Sequence, residues 1–178
     1  MIKTTACTLT LMLASLAQAH TVLEYPVATA GQRYKATFQV GHGCGVSPTR
    51  QIVVDIPAGV QGAKPIPKAG WRLEITRDKL ARPYTSHGRT LTEDVTRISW
   101  TAKTAEDMLP NGQYDEFVLV GTLPDQAGVM YWPVQQWCEQ GHIDWTDIPQ
   151  PGQKLSDLKS PAAALELMPG AASGGHKH

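Results

Sequence analysis

Short runs of alternating apolar and polar residues, each closed by glycine, proline or another turn-forming residue, make up most of the sequence. Residues 33–40 are typical, because Tyr34, Ala36, Phe38 and Val40 share one face if the chain is extended. No segment keeps a helical period over three turns. We predict strands at residues 20–25, 33–40, 50–56, 71–76, 96–101, 114–123, 129–137 and 142–148. Short strands at this spacing predict an all-β fold, an antiparallel sandwich of two sheets.

The charge balance restricts the partners that the protein can have. Lysine and arginine number 16, and aspartate and glutamate also number 16, so the formal net charge is zero. A protein that binds nucleic acid or an anionic membrane surface through charge carries a basic excess. We therefore expect no nucleic-acid partner.

The first nineteen residues have the pattern of a secretory signal peptide. Lys3 precedes an apolar run at residues 6–16 that is too short to span a bilayer, and Ala17-Gln18-Ala19 fits a small-x-small cleavage site. An uncleaved anchor is the alternative interpretation. We predict that residues 1–19 are removed and that the mature chain, soluble in the periplasm or outside the cell, begins at His20.

The chain after the signal peptide divides into a domain and an extension. We predict one β-sandwich domain at residues 20–150 and a C-terminal extension at residues 151–178. The extension begins with prolines and ends in a glycine-rich stretch that has nothing to bury. We expect disorder at least from residue 170.

Two cysteines, Cys44 and Cys138, remain once Cys7 is lost with the signal peptide. In an oxidising compartment such a pair most simply forms one disulfide. A pair of metal-binding thiolates is the other interpretation, but the two residues lie far apart and form no Cys-x-x-Cys motif. We predict a Cys44–Cys138 disulfide.

The sequence carries no common catalytic template. It lacks the Gly-x-Ser-x-Gly elbow, the phosphate-binding loop, the dinucleotide fingerprint and the His-Glu-x-x-His motif. Asp115 and Glu116 are neighbours in a predicted strand, so they point to opposite faces and form no acid–base pair. We expect a protein that is not an enzyme.

His20 at the predicted mature terminus is the strongest local signal of chemistry. An amino-terminal histidine offers its free amine and its ring nitrogen, which together chelate one metal ion. Nitrogen donors in a tetragonal arrangement favour Cu(II), which also heads the divalent affinity series. The alternative is that cleavage happens to leave a histidine, and the residue alone does not decide between the two.

Several segments occur in the order found in one known family. They are residues 20–26 (His-Thr-Val-Leu-Glu-Tyr-Pro) with Ala30-Gly31, residues 41–44 (Gly-His-Gly-Cys), residues 64–71 (Lys-Pro-Ile-Pro-Lys-Ala-Gly-Trp), residues 114–117 (Tyr-Asp-Glu-Phe), residues 133–139 (Pro-Val-Gln-Gln-Trp-Cys-Glu) and Trp145. Over residues 20–150 the chain resembles the YcnI-like family of exported copper-binding domains. The cysteine pair departs from the members of that family that lack cysteines.

The resemblance implies an immunoglobulin- or cupredoxin-like sandwich that binds Cu(II) through a mono-histidine brace. By match, His20 is the brace histidine and Trp145 is the tryptophan close to the metal. From its type alone, Trp145 is more simply explained as a core residue, since aromatic side chains in sandwich strands usually pack inside.

The carboxylate that would complete the site is open between two residues. Glu24 follows His20 by four positions, about 13 Å in an extended strand, so it reaches a shared ion only if the chain bends. Glu116 interrupts an apolar strand, where a half-buried carboxylate needs a cation or a donor. A salt bridge to an arginine would satisfy Glu116 equally well. We interpret His42, His87 and His142 as turn, loop and hairpin residues, and the tail histidines as solvated.

We therefore expect an exported copper-binding protein that captures Cu(II) and passes it to a membrane copper transporter or another carrier. A copper-dependent oxidative enzyme with the same terminal chelate is one alternative. A metal-free adaptor or adhesion sandwich is the other.

Overall fold

The computed structural model describes residues 20–170, which form twelve β-strands and one short 3₁₀ turn. The strands are β1 (Val22–Leu23), β2 (Val27–Thr29), β3 (Arg33–Val40), β4 (Thr49–Asp55), β5 (Gln61–Pro65), β6 (Trp71–Ser86), β7 (Arg89–Ala102), β8 (Asp115–Thr122), β9 (Gly128–Trp132), β10 (Val134–Cys138), β11 (His142–Trp145) and β12 (Ala163–Met168). The 3₁₀ turn is Leu155–Asp157. Within this range no helix is long and apolar enough to cross a membrane.

The strands form two main sheets and one smaller sheet. The first sheet has the order β1-β3-β8-β5, and the second has the order β11-β10-β4-β7-β6. All neighbours within these two sheets are antiparallel. In the third sheet, β12 lies between β2, to which it is parallel, and β9, to which it is antiparallel. The predicted all-β fold of antiparallel sheets is confirmed, with a third sheet added.

One core joins the three sheets. The inward side chains of β3 and β8 meet those of β4, β7 and β10, as the alternation in the sequence predicts. The Phe117 ring packs edge-on against Trp71 and Trp100, and Phe38 packs edge-on against Trp132 of the third sheet. These aromatic contacts fix how the sheets face each other.

Two predicted strand boundaries are wrong for identifiable reasons. The predicted strand at residues 129–137 is two strands, β9 and β10, which belong to different sheets. Pro133 lies between them and has no N–H to continue a ladder. The strands predicted at 71–76 and 96–101 are the inner parts of a long β6–β7 hairpin. Its outer half is largely exposed, so the apolar alternation that marks a buried strand is absent there.

The chain beyond residue 150 contributes to the domain. The domain predicted from the sequence ends at residue 150. In the structure, β12 pairs with β2 and β9 and buries Leu165 and Leu167 in the common core. The sheets therefore continue to Met168. The predicted signal peptide and residues 171–178, on which most of the predicted disorder falls, lie outside the described residues.

Candidate metal centre

The rings of His20 and Trp145 lie side by side, and each residue lies at or just before an edge strand of a main sheet. His20 lies two residues before β1, an edge of the first sheet, and Trp145 ends β11, an edge of the second sheet. Their ring centroids are 5.5 Å apart and the ring planes are inclined by 70°. Two of the residues that the sequence analysis assigns to the metal are thus neighbours, although 125 positions separate them in the chain.

Trp145 is also a core residue. Its side chain is 5% exposed and belongs to the central apolar cluster. The indole N–H donates to Gln136 Oε1 at 3.0 Å. The packing interpretation of Trp145 and its position beside His20 are therefore compatible, because one edge of the indole is anchored in the core while the ring contacts the histidine.

Gln136 is the buried polar residue that holds this end of the sandwich together. It is 1% exposed, lies on β10 and uses both ends of its amide. Besides accepting from Trp145, it donates through Nε2 to the His42 carbonyl at 2.6 Å and to Thr49 Oγ1 at 2.7 Å. Strands β4 and β11 of the second sheet and the connection that carries His42 are thus tied to one side chain, and both amide N–H groups and the amide oxygen are satisfied.

His42 reaches the same tryptophan as His20. Its ring centroid lies 6.0 Å from that of Trp145, with the planes inclined by 78°. Nδ1 lies 2.5 Å from the Gly43 carbonyl oxygen. The sequence analysis interprets His42 as a turn residue. The structure places it in the connection after β3, at the end of the sandwich where His20 lies.

The connection that carries His42 is closely constrained. A Cβ atom at position 43 would collide with the Ser47 carbonyl, so glycine alone fits there, and the Gly43 N–H donates to Asn111 Oδ1 at 2.9 Å. The predicted disulfide between Cys44 and Cys138 is confirmed and joins this connection to the end of β10. The two residues that follow His42 are therefore held in place.

The two candidate carboxylates lie along the first sheet. Glu116 is on β8 opposite Gln39, which in turn lies opposite Val22 of β1. Adjacent strands are about 4.8 Å apart, so the backbone of Glu116 is about 10 Å from β1. The Tyr114 hydroxyl donates to Glu116 Oε1 at 2.7 Å, a partner in place of the arginine that the sequence analysis considers.

The pKa values of two tyrosines beside these carboxylates are raised, in part by the negative charge of the carboxylates. Desolvation, the hydrogen bond to Glu116 and the charges of Glu116 and Glu24 raise the pKa of Tyr114 to about 12. The pKa of Tyr25 is raised mainly by its hydrogen bond to Glu24. Both carboxylates are thus already engaged with phenols, and neither is brought into a cluster with the histidines.

The donor set at this site is nitrogen-rich. Among residues 20–170, no group of three or more His, Cys, Asp and Glu side chains lies close enough together to hold a metal ion. Among the described residues, His20 and His42 offer imidazole nitrogens near Trp145. Cleavage before His20 would add a free amine. Imidazole and amine nitrogen suit copper and nickel better than calcium or magnesium.

The remaining histidines lie elsewhere. His87 occupies the turn of the β6–β7 hairpin with a positive φ of 49°. The His142 ring stacks on the Trp137 ring with their centroids 4.6 Å apart, and His142 Nε2 lies 3.5 Å from Asp144 Oδ2. The tail histidines, His176 and His178, lie outside the described residues.

Comparison with known proteins places this domain in context. A family model described as a domain of unknown function, DUF1775, matches residues 20–167. A crystal structure of an uncharacterized protein from Nocardia farcinica, described as having an immunoglobulin-like fold, is similar with a TM-score of 0.64 and 23% sequence identity. The match covers 83% of this chain and 97% of that protein, and at this identity it supports the fold alone. No curated protein matches the sequence.

Proposed function

The chain belongs to the DUF1775 family, the YcnI-like family, and from this premise we propose that it captures Cu(II) through the amine and ring of His20. In this proposal the protein is exported, residues 1–19 are removed, and His20 becomes the terminus. Trp145 flanks the ion, and the copper is cargo that is passed to a membrane transporter or another carrier.

The contact between His20 and Trp145 is the observation that carries this proposal. A terminal histidine on a loose segment would first have to be ordered before it could hold an ion, which costs conformational entropy. Here the His20 ring is half-buried against an indole whose own N–H is fixed by Gln136. A ring held in one position loses less freedom when it binds an ion, so the chelate is pre-organised.

Glu116 is the third member of the proposed site, with Glu24 as the alternative. Each carboxylate already accepts a hydrogen bond from a tyrosine, so it would share its negative charge between that phenol and an ion at His20. A carboxylate would offset part of the positive charge of the ion, so we propose it as a weaker, outer ligand.

The test compares chains that differ only at the start. A chain beginning at His20 is expected to bind one equivalent of Cu(II), measured by isothermal titration and electron paramagnetic resonance. A chain with one alanine added before His20 has its amine moved out of the chelate and is expected to lose most of that affinity. His20→Ala on the processed chain is expected to lose it as well, because the ring donor is gone.

The matched control removes the other histidine-bearing terminus. Deletion of residues 170–178 takes away His176 and His178 and is expected to leave the tight site intact. Equal Cu(II) affinity in the processed and extended chains would contradict the brace. Retained affinity in His20→Ala that disappears on tail deletion would move the site to the tail.

We propose transport rather than catalysis for the bound copper. A copper-dependent oxidative enzyme built on the same chelate remains the alternative, and a metal-free adaptor is the other. Copper-dependent consumption of ascorbate and oxygen by the processed chain, above that of free copper, would favour the enzyme. Absence of any Cu(II) uptake by the processed chain would favour the adaptor.

A further inference from the structure

We propose that His42 is a second imidazole ligand of the same ion, so that this chain binds copper with two histidines instead of one. The inference rests on the proposed function and adds a residue to it. The juxtaposition of His42 and His20 around Trp145 carries the inference, since both rings lie within 6.0 Å of the same indole, centroid to centroid.

The hydrogen bond at Nδ1 gives the His42 ring the tautomer that a ligand needs. The Gly43 carbonyl oxygen can only accept, so Nδ1 must donate its proton to it. A neutral imidazole that is protonated at Nδ1 carries its lone pair on Nε2. Metal-binding histidines commonly have this arrangement, with one ring N–H donated to a carbonyl and the other nitrogen facing the metal.

The backbone of His42 is held as firmly as its ring. Its carbonyl accepts from the buried Gln136 amide, which also anchors Trp145. The next residues are fixed by the glycine contact at Gly43 and by the Cys44–Cys138 disulfide. Such support is what a metal ligand requires, because a ligand must be held in its binding position by the residues around it.

Two histidines change the chemistry of the site. The His20 amine, the His20 ring and the His42 ring supply three nitrogens, which fill three of the four positions of a tetragonal Cu(II) site. The negatively charged carboxylates of Glu24 and Glu116 are then not required as inner ligands, which agrees with their engagement by tyrosines.

The first experiment uses the processed chain with Cu(II) alone. His42→Phe keeps an aromatic ring against Trp145 and removes both nitrogens. We expect its Cu(II) affinity to fall by at least the roughly 10–100-fold that loss of an outer-shell partner costs, and the nitrogen hyperfine pattern in electron paramagnetic resonance to lose one imidazole. His87→Asn is the matched control, because it removes a histidine from a remote turn whose positive φ asparagine tolerates. It should leave affinity and spectrum unchanged.

The second experiment needs no metal and does not depend on a variant that folds. Nitrogen-15 shifts of the His42 ring in the metal-free processed chain should show a proton on Nδ1 and none on Nε2. A ring protonated at Nε2 alone would overturn the proposal. So would an unchanged copper spectrum and affinity in His42→Phe. If His20→Ala still abolishes binding in that case, the brace stands and only the role of His42 is refuted, whereas a wild-type chain that takes up no Cu(II) refutes both.

Discussion

Gln136 shows how much of the candidate site depends on a residue with no recognisable signal. In the sequence it is one of two adjacent glutamines in a strand, and strand alternation alone says only that one of them points inward. The structure selects Gln136, which bonds to Trp145, His42 and Thr49. Neither the role of Gln136 nor the placement of His42 could be predicted from the sequence, because each depends on contacts between distant segments.

We predict that Gln136→Leu destabilises the protein by about 2–4 kcal/mol. The leucine fills similar space but leaves the indole N–H of Trp145 and the His42 carbonyl without their partner, and each buried unpaired group costs about 1–3 kcal/mol. Urea unfolding followed by tryptophan fluorescence measures the change. Gln135→Leu, on the adjacent half-buried position, is the matched control and should change stability by less than about 0.5 kcal/mol. Similar unfolding midpoints for the two variants would contradict the network.

At the scale of elements, how well a strand can be predicted from the sequence depends on how much of it is buried. Strands with one buried face, such as β3 and β8, were predicted from their alternation within a residue or two of their ends. Strands β2 and β5 were missed, because they are short and mostly exposed or half-buried. Strand β12 was missed for a different reason. Its apolar run follows a polar, proline-containing stretch, so nothing local shows that it returns to the domain.

Strand β12 supplies a direct test of where the domain ends. Leu165 is fully buried in the common core, so we predict that Leu165→Ala lowers the free energy of unfolding by about 2–5 kcal/mol, the range for deleting a buried leucine. Met168→Ala at the exposed end of the same strand should cost less than about 1 kcal/mol. Thermal and urea unfolding would measure both. A domain that ends at residue 150 would show no difference between these variants.

At the scale of the whole molecule, the sequence predicts a class of fold and leaves the arrangement open. Alternation indicates which faces are buried, but pairing joins segments far apart in the chain, as when β10 lies between β4 and β11. The candidate site illustrates this. His20 lies just before β1, His42 lies in the connection after β3, and Trp145 ends β11, the last strand of the second sheet. The resemblance to a family named two of these residues, and the third required the structure.

The Cys44–Cys138 disulfide joins the connection that carries His42 to the end of β10, and its effect on the whole molecule can be measured. It closes a loop across a sequence separation of 94 residues. In the chain-entropy model a loop of about 100 residues stabilises the folded state by up to about 4.7 kcal/mol, by restricting the unfolded chain. We predict that the double variant Cys44→Ala, Cys138→Ala loses a large part of this, with a larger denaturant m-value because its unfolded state is more expanded. Wild type in reductant should show the same loss, whereas the double variant should not respond to reductant. If wild type unfolds at the same urea concentration with and without reductant, the bond contributes nothing to stability, and the constraint on His42 must come from Gln136 and Gly43 alone.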